Sequence, residues 1–139
     1  MSYSIIQNAV RITERKKVTH LISTHRHHYN VYTFENGSTY AVDGGTDYIK
    51  RGLSSKEYPS DCLIENYNLS KDFEFSVIAD KLLWGTRGTS GKEPLVYRPF
   101  KDLSLKHLNA ILTFSQYVTP LSGLQLEVIN FWIKQKSSV

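Results

Sequence analysis

The residues best suited to chemistry lie in the first third of the chain, beginning with a cluster of histidines. His25 and His27 are separated by one residue, so on a strand both side chains would lie on the same side, as two ligands of a metal ion require. The sequence therefore predicts them as metal candidates, although no cysteine or fixed carboxylate accompanies them. Packing or hydrogen bonding at a sheet surface is the alternative interpretation.

A glycine-rich run that starts at Asp43 could act in two ways. Its glycines permit a turn whose backbone N–H groups gather into an anion-binding nest, with two cations beyond it. Alternatively, Asp43 and Asp47 could hold a hard cation, while acid–base chemistry would need a nucleophile that the sequence does not identify. A purely structural turn remains open as well. The candidates for binding an anion here are Asp43, Gly44, Gly45, Lys50 and Arg51.

A second glycine-rich segment, residues 85–92, could contact a phosphate through flexible backbone donors and two cations. It is not a nucleotide triphosphatase loop, because five residues rather than four separate Gly85 from Gly91, and Glu93 follows the lysine. A strand also follows where a helix N-terminus would supply its dipole. A plain hairpin loop is the alternative. The binding candidates in this segment are Arg87, Gly88, Gly91 and Lys92.

The elements that position the first two groups are predicted to be strands. Residues 28–34 alternate apolar and polar side chains, and Asn36 with Gly37 favours a tight hairpin turn into residues 38–42. Together with residues 17–23, they predict an antiparallel β-meander. Residues 47–51 are predicted to form a short helical turn that Gly52 ends.

The second half of the chain is predicted to contain helices. A helix capped by Ser70 or Asp72 runs to about residue 81, and the glycine-rich segment forms a β-hairpin-like loop. Ser104 caps a helix over residues 105–116, and Thr119 with Pro120 begins a final helix to about residue 136. The predicted fold is α+β in one domain, residues 1–139: a β-rich half (1–52), a connection (53–70) and a mixed half (71–139).

The composition sets the class of protein. A chain of 139 residues is the size of one domain, and its 40% hydrophobic and 22% charged residues are ordinary for a soluble globular protein. Residues 1–56 hold eight Lys and Arg against four acids, while residues 57–139 hold nine of each, so the net charge of +4 lies in the first half. An excess of positive charge can attract phosphate or nucleic acid, but an ordinary solvated surface can carry a charge of this size as well. No membrane helix or secretion signal is predicted.

Aromatic residues on the predicted strands offer a further surface. The side chains alternate with basic and amide residues, and they could stack the bases of a single-stranded nucleic acid. Aromatics at a period of two are also typical of the core face of a sheet. The residues concerned are Tyr29, Tyr32, Phe34 and Tyr40.

Two short modules resemble an uncharacterised family of accessory proteins of tailed bacteriophages. The first combines His25-Arg26-His27 with the run 43–48, and the second is Trp84-Gly85-Thr86-Arg87-Gly88, so that the resemblance covers about residues 25–115. It implies a phage or prophage protein expressed in a bacterial cell, and it implies no substrate. Relatives carry paired cysteines in a zinc-ribbon-like spacing, but this chain does not, and we expect no structural zinc. The neighbourhood here holds Arg15, Lys17, Val18, Phe34 and Asn36.

These observations lead to a predicted function without catalytic residues or cofactors. The protein is expected to be an accessory protein in the cytoplasm of the infected host that binds an anionic ligand, such as a nucleotide or nucleotide-derived signal, or a host macromolecule, and thereby counteracts host defence. Nucleic-acid binding and a metal-assisted hydrolase using His25, His27, Asp43 and Asp47 are the alternatives. Cys62, the single cysteine, is expected not to be catalytic because acidic neighbours raise its pKa.

Overall fold

The computed structural model describes residues 5–54, 57, 59–88, 91–117 and 121–138. The chain divides into two compact units, Met1–Phe73 and Glu74–Val139. The first unit is built from strands, and the second contains three α-helices with a β-hairpin, so the predicted α+β class is confirmed. The boundary between the units falls after the predicted connection 53–70. That the chain forms a single domain stays a prediction.

Antiparallel strands form two sheets in the first unit. One sheet has the order β2-β1-β6, with β7 also paired to β1, and the other has the order β3-β4-β5. The strands in the described part of this unit are β1 (Ile5–Glu14), β2 (Lys17–Ser23), β3 (Tyr29–Thr33), β4 (Thr39–Asp43), β5 (Lys50–Leu53), β6 (Cys62–Asn66) and β7 (Leu69–Ser70). The predicted meander is therefore split, because only β3, β4 and β5 form one, while β2 belongs to the other sheet.

Two segments differ from their predicted conformation. The helical turn predicted over residues 47–51 is wrong, because Lys50 and Arg51 begin β5 and pair with Asp43 and Val42 of β4. The described residues of the connection predicted over residues 53–70 include strands β6 and β7, of which β6 pairs with β1 from Val10 to Glu14. In both segments the conformation is decided by hydrogen bonding to a distant strand, which local periodicity does not record.

The core of the first unit draws on residues of both sheets. Val10, Ile12 and Leu21 from the first sheet form one buried cluster with Val42 from the second and with Phe34, which directly follows β3. Tyr32, Tyr40, Cys62 and Ile64 pack against this cluster. Because successive side chains of a strand point to opposite faces, the remaining residues of β3, β4 and β5 form an outward face. The candidate ligand-binding site lies on that face.

Two hairpin turns connect strands of the first unit. The predicted hairpin at Asn36 and Gly37 is confirmed, with Phe34 N–H donating to the Ser38 carbonyl at 2.8 Å, and Gly37 has a φ of 88°. The turn between β1 and β2 consists of Arg15 and Lys16, both with positive φ. Two successive residues in this conformation are typical of the type I′ turn, which matches the twist of the paired strands.

The second unit contains the predicted helices and hairpin. Its elements are α1 (Phe75–Lys81), β8 (Leu83–Thr86), β9 (Val96–Pro99), a 3₁₀ turn (Phe100–Asp102), α2 (Leu105–Tyr117) and α3 (Gly123–Ser137). Phe100, Leu108, Val128 and Ile129 are completely buried. The Trp132 indole N–H donates to the Ala79 carbonyl at 2.8 Å, which ties α3 to α1. No helix in the part of the chain that the structure describes is both long and apolar enough to cross a membrane.

The helix starts show how far capping could be predicted. Ser104 caps α2 as predicted, since its hydroxyl accepts the His107 N–H at 3.1 Å. The cap predicted for α1 is wrong, because the helix begins after Glu74 without a side-chain cap. Thr119 and Pro120 lie outside the described residues. The start predicted there for the last helix is wrong too, because α3 begins at Gly123 with a capping box formed by Ser122 and Gln125.

Candidate ligand-binding site

The predicted metal candidates lie in a turn rather than on a strand. Residues 25–28 connect β2 to β3, with the His28 N–H donating to the His25 carbonyl at 2.9 Å. His27 has a φ of 66°, a left-handed conformation that reverses the direction of the chain. The prediction that His25 and His27 share one side of a strand is therefore wrong. We call residues 25–28 the histidine turn.

Two imidazoles of the histidine turn, those of His25 and His28, make contacts through their Nδ1 atoms. His28 Nδ1 accepts the Thr24 backbone N–H at 2.9 Å, so this nitrogen carries no proton. His25 Nδ1 lies 3.0 Å from the Arg26 carbonyl, which can only accept, so this nitrogen donates. The two rings are 4.8 Å apart. These contacts agree with the alternative interpretation, in which the histidines hydrogen-bond at the sheet surface.

The metal-assisted alternative requires a set of ligands close together. Among the described residues, which include His25, His27, Asp43 and Asp47, no group of three or more His, Cys, Asp or Glu could hold a metal ion. Asp43 Oδ1 instead accepts the Tyr48 hydroxyl at 3.1 Å. Burial, and then this bond to Asp43, raise the pKa of Tyr48. The four residues thus give no support to a hydrolase.

The two glycines of the 43–48 run pack directly on the histidine turn. Gly44 N–H donates to the His28 carbonyl at 3.3 Å, and Gly45 N–H donates to the Ser23 hydroxyl at 2.8 Å. Both glycines have positive φ, and a Cβ on Gly45 would overlap the backbone of His25. Because both N–H groups bind within the protein, the predicted anion nest at these glycines has no support. The structure does bring the two predicted motifs together.

The buried side-chain amide of Asn8, in β1, hydrogen-bonds to the 43–48 run. Asn8 is completely buried, and its Nδ2 donates to the carbonyl of Asp43 at 2.8 Å and to that of Tyr48 at 3.3 Å. Its Oδ1 accepts from the Arg51 guanidinium. One side chain of the first sheet therefore fixes both ends of the turn that precedes β5.

Arg51, which the sequence predicts as an anion ligand, is bound inside the first unit. Besides Asn8, its guanidinium donates to Asn68 Oδ1 at 2.6 Å and to the Ala9 carbonyl at 3.3 Å. Burial lowers the pKa of Arg51. These contacts give Arg51 the role of joining β5 to the first sheet, and they leave Lys50 as the cation of this pair on the outward face.

A pocket of about 310 Å³ lies over β3, β4 and β5 on the outward face, and we call it the sheet pocket. Tyr29, Asp43 and Lys50 lie opposite one another on the three strands and line one end of it. Gly52 lines it from β5, and nothing lies within 4 Å of where its Cβ would be. Thr39 and Ser54 line the other end. Arg51 and Leu53 of β5 also line the pocket, but the Arg51 guanidinium is bound within the unit, so the arrangement offers one ammonium, one carboxylate, an aromatic ring and two hydroxyls to a ligand.

The sequence indicates some of these residues and misses others. Of the four predicted aromatics, Tyr29 is 62% exposed at the sheet pocket, whereas Tyr32 and Tyr40 pack on the core and Phe34 is buried. Gly52 is predicted from sequence to end a helical turn, and no sequence pattern marks Thr39 or Ser54. A glycine inside a strand is the signal that could have found the pocket, since it marks a close approach to the backbone.

The described residues of the second glycine-rich segment end strand β8 and belong to the β8–β9 hairpin, in agreement with the alternative interpretation. Gly91 N–H donates to the Gly88 carbonyl at 3.2 Å, and Glu93 N–H donates to the Arg87 carbonyl at 3.0 Å. Arg87 and Lys92 are exposed. The carboxylate of Glu93 lies where a Cβ on Gly88 would be, which disfavours an anion at that point. A single site that joins Arg87 and Lys92 to Lys50 stays a prediction.

Cys62 has the environment of an unreactive thiol. Burial and the nearby Glu14 carboxylate raise its pKa, and Asp61 contributes in the same direction. The predicted direction is confirmed, although burial is the larger cause and the decisive acid is Glu14, which sequence separation concealed.

No family model matches the chain, and no curated protein or solved structure matches it either. The function must therefore be inferred from the sheet pocket and its surroundings.

Proposed function

We propose that the chain is a non-enzymatic accessory protein, encoded by a bacteriophage, that binds a small anionic ligand in the sheet pocket. The phage context rests on the resemblance of the two modules described above. On this proposal the protein acts in the cytoplasm of the infected bacterium and counteracts a host defence by sequestering a nucleotide or a nucleotide-derived signal.

The observation that carries the proposal is the pairing of Lys50 with the exposed ring of Tyr29 at one end of the sheet pocket. Among the described residues, no carboxylate lies within ion-pair distance of Lys50, so its charge is available to an anion. An ammonium binds a phosphate or carboxylate, while an aromatic face can stack on a flat ring. A pocket of this volume is at the lower end of the range of ligand sites, about 300–1000 Å³, which suits a small molecule.

The test is calorimetric titration of the full chain with a panel of nucleoside mono-, di- and triphosphates. We expect a member of the panel to bind, and Lys50→Ala to weaken its binding by about tenfold to a hundredfold, the effect of losing one charge-assisted hydrogen bond. The matched control is Lys71→Ala, an exposed lysine of the same unit outside the sheet pocket. Absence of binding by the wild type, or equal losses in both variants, would refute the proposal.

Nucleic-acid binding is the second candidate, and one observation favours it. Arg26 precedes β3 and Lys50 begins β5, so two exposed cations lie at the same end of the sheet as Tyr29. A single strand could run past them with a base stacked on the ring. Nucleic-acid binding is distinguished by an affinity that falls with salt concentration, because each phosphate that the protein neutralises releases counterions. A steep loss of oligonucleotide affinity with salt, together with no mononucleotide binding, would favour this candidate.

A further inference from the structure

The outward face of the second sheet is organised in rows that cross its three strands. The antiparallel register places one residue of each strand in a row, and Ser54 extends the register by donating its N–H to the Thr39 carbonyl at 3.0 Å. Neighbouring rows are two residues apart, a separation of about 6.6–7 Å along a strand. From one end to the other, the rows are Tyr29, Asp43 and Lys50; Val31, Ala41 and Gly52; and Thr33, Thr39 and Ser54.

The charged row offers one cation, which suits a single phosphate group. Lys50 is its single cation, and Asp43 lies directly opposite on β4. Arg26, at the same end of the sheet, does not line the sheet pocket, so within its lining a second or third phosphate would find the Asp43 carboxylate instead of another unbound cation, and like charges repel. The backbone donors of Gly44 and Gly45, which could cradle a longer phosphate chain, are bound to His28 and Ser23. Arg51 is likewise bound within the unit.

The middle row provides a flat surface for a ring. Gly52 has no side chain, and the space beside it is open, while Ala41 on the neighbouring strand contributes only a methyl group. Because Ala41 is only 8% exposed, the surface on which a planar base can lie is the backbone of β5 at Gly52. Its distance from the charged row matches the short span between the phosphate and the base of one nucleotide.

The remaining polar groups suit the sugar and the edge of the base. Asp43 lies beside Lys50 in the charged row, one row away from the flat surface, and a carboxylate is the group that accepts ribose hydroxyls in dinucleotide sites. At the far row, the Thr39 and Ser54 hydroxyls can donate to or accept from a base edge. We infer that the ligand of the sheet pocket is a nucleoside monophosphate rather than a di- or triphosphate, an inference that rests on the proposed function.

The first test compares matched ligands by calorimetry on the full chain. The probes are the four ribonucleoside monophosphates, their di- and triphosphates, and inorganic phosphate. We expect at least one monophosphate to bind at least about fivefold more tightly than its triphosphate and more tightly than inorganic phosphate. Equal or tighter binding of the triphosphate, or of inorganic phosphate, overturns the inference but leaves the proposed anion site in place. Binding of none of these probes overturns both.

The second test fills the flat surface. Gly52 has no positive φ and its Cβ would meet open space, so Gly52→Val is compatible with the strand and occupies the sheet pocket. We expect this variant to lose monophosphate binding by at least about tenfold with an unchanged circular dichroism spectrum. Thr33→Val, on the same face but outside the pocket lining, is the matched control and should bind as the wild type does. Gly52→Ala, a smaller change, should give an intermediate loss. Unchanged binding in folded Gly52→Val overturns the inference.

Discussion

Glu14 and Tyr32 form a hydrogen-bonded pair of titratable residues in the first unit. The buried Glu14 carboxylate accepts the Tyr32 hydroxyl at 2.7 Å and the Glu35 backbone N–H at 2.9 Å. These two bonds lower the pKa of Glu14, so the carboxylate stays ionised in the folded protein. Burial, and then the bond to Glu14, raise the pKa of Tyr32 to about 12. The pair joins β1 to β3, and its protonation state therefore bears on stability.

We predict that the free energy of unfolding of Tyr32→Phe decreases less at alkaline pH than that of the wild type. The folded pKa of Tyr32 lies above its ordinary value of 10, so the folded protein holds the phenolic proton more firmly than the unfolded chain does. The resulting stabilisation is complete below about pH 10 and is lost as the pH rises towards 12. Denaturant unfolding measured across this range should show a shallower decline for the variant.

The control for that experiment is Tyr29→Phe, which changes an exposed tyrosine on the same strand. It should leave the alkaline decline of the wild type in place. If Tyr32→Phe and the wild type lose stability in parallel, the hydrogen bond to Glu14 does not govern the titration.

At the scale of elements, the contact between the histidine turn and the 43–48 run depends on Gly45. We predict that Gly45→Ala destabilises the protein by more than about 2 kcal/mol, because a left-handed alanine costs about 1–2 kcal/mol and the new Cβ overlaps His25. Gly91→Ala is the matched control, since Gly91 also has a positive φ, 73°, but nothing lies within 4 Å of its Cβ position. Equal losses of unfolding free energy would show that the overlap relaxes at no cost.

The elements also show how far sequence alone could reach. α2, the β8–β9 hairpin and the strands β2, β3 and β4 were predictable, because periodicity and capping within each segment agree with the fold. β5 and β6 were not, since Lys50 and Cys62 begin strands that exist through pairing with β4 and β1. The type I′ turn at Arg15 and Lys16 contains none of the residues that usually mark it. In the candidate site, Lys50 was predictable as a cation, but the internal binding of Arg51 depends on Asn8, 43 residues away.

At the scale of the whole molecule, each unit has its own buried cluster. We predict that Leu108→Ala, at a completely buried position of α2, costs about 2–5 kcal/mol and reduces amide protection within residues 74–139 while β1 keeps its protection. Hydrogen exchange followed by mass spectrometry measures both regions in one experiment. An equal loss in β1 would instead support the sequence-based prediction of a single cooperative domain.

The hairpin between β3 and β4 has a consequence for the chemical ageing of the chain. An Asn-Gly pair deamidates when the glycine nitrogen attacks the carbonyl carbon of the asparagine side chain, closes a cyclic imide and expels ammonia; water then opens the imide. Here the Gly37 N–H is bound to the Phe34 carbonyl, and the Asn36 amide is held by Ser38 on one side and the Glu57 carbonyl on the other. The attack requires these bonds to break together. We therefore expect the rate of deamidation at Asn36 to depend on how often the hairpin opens.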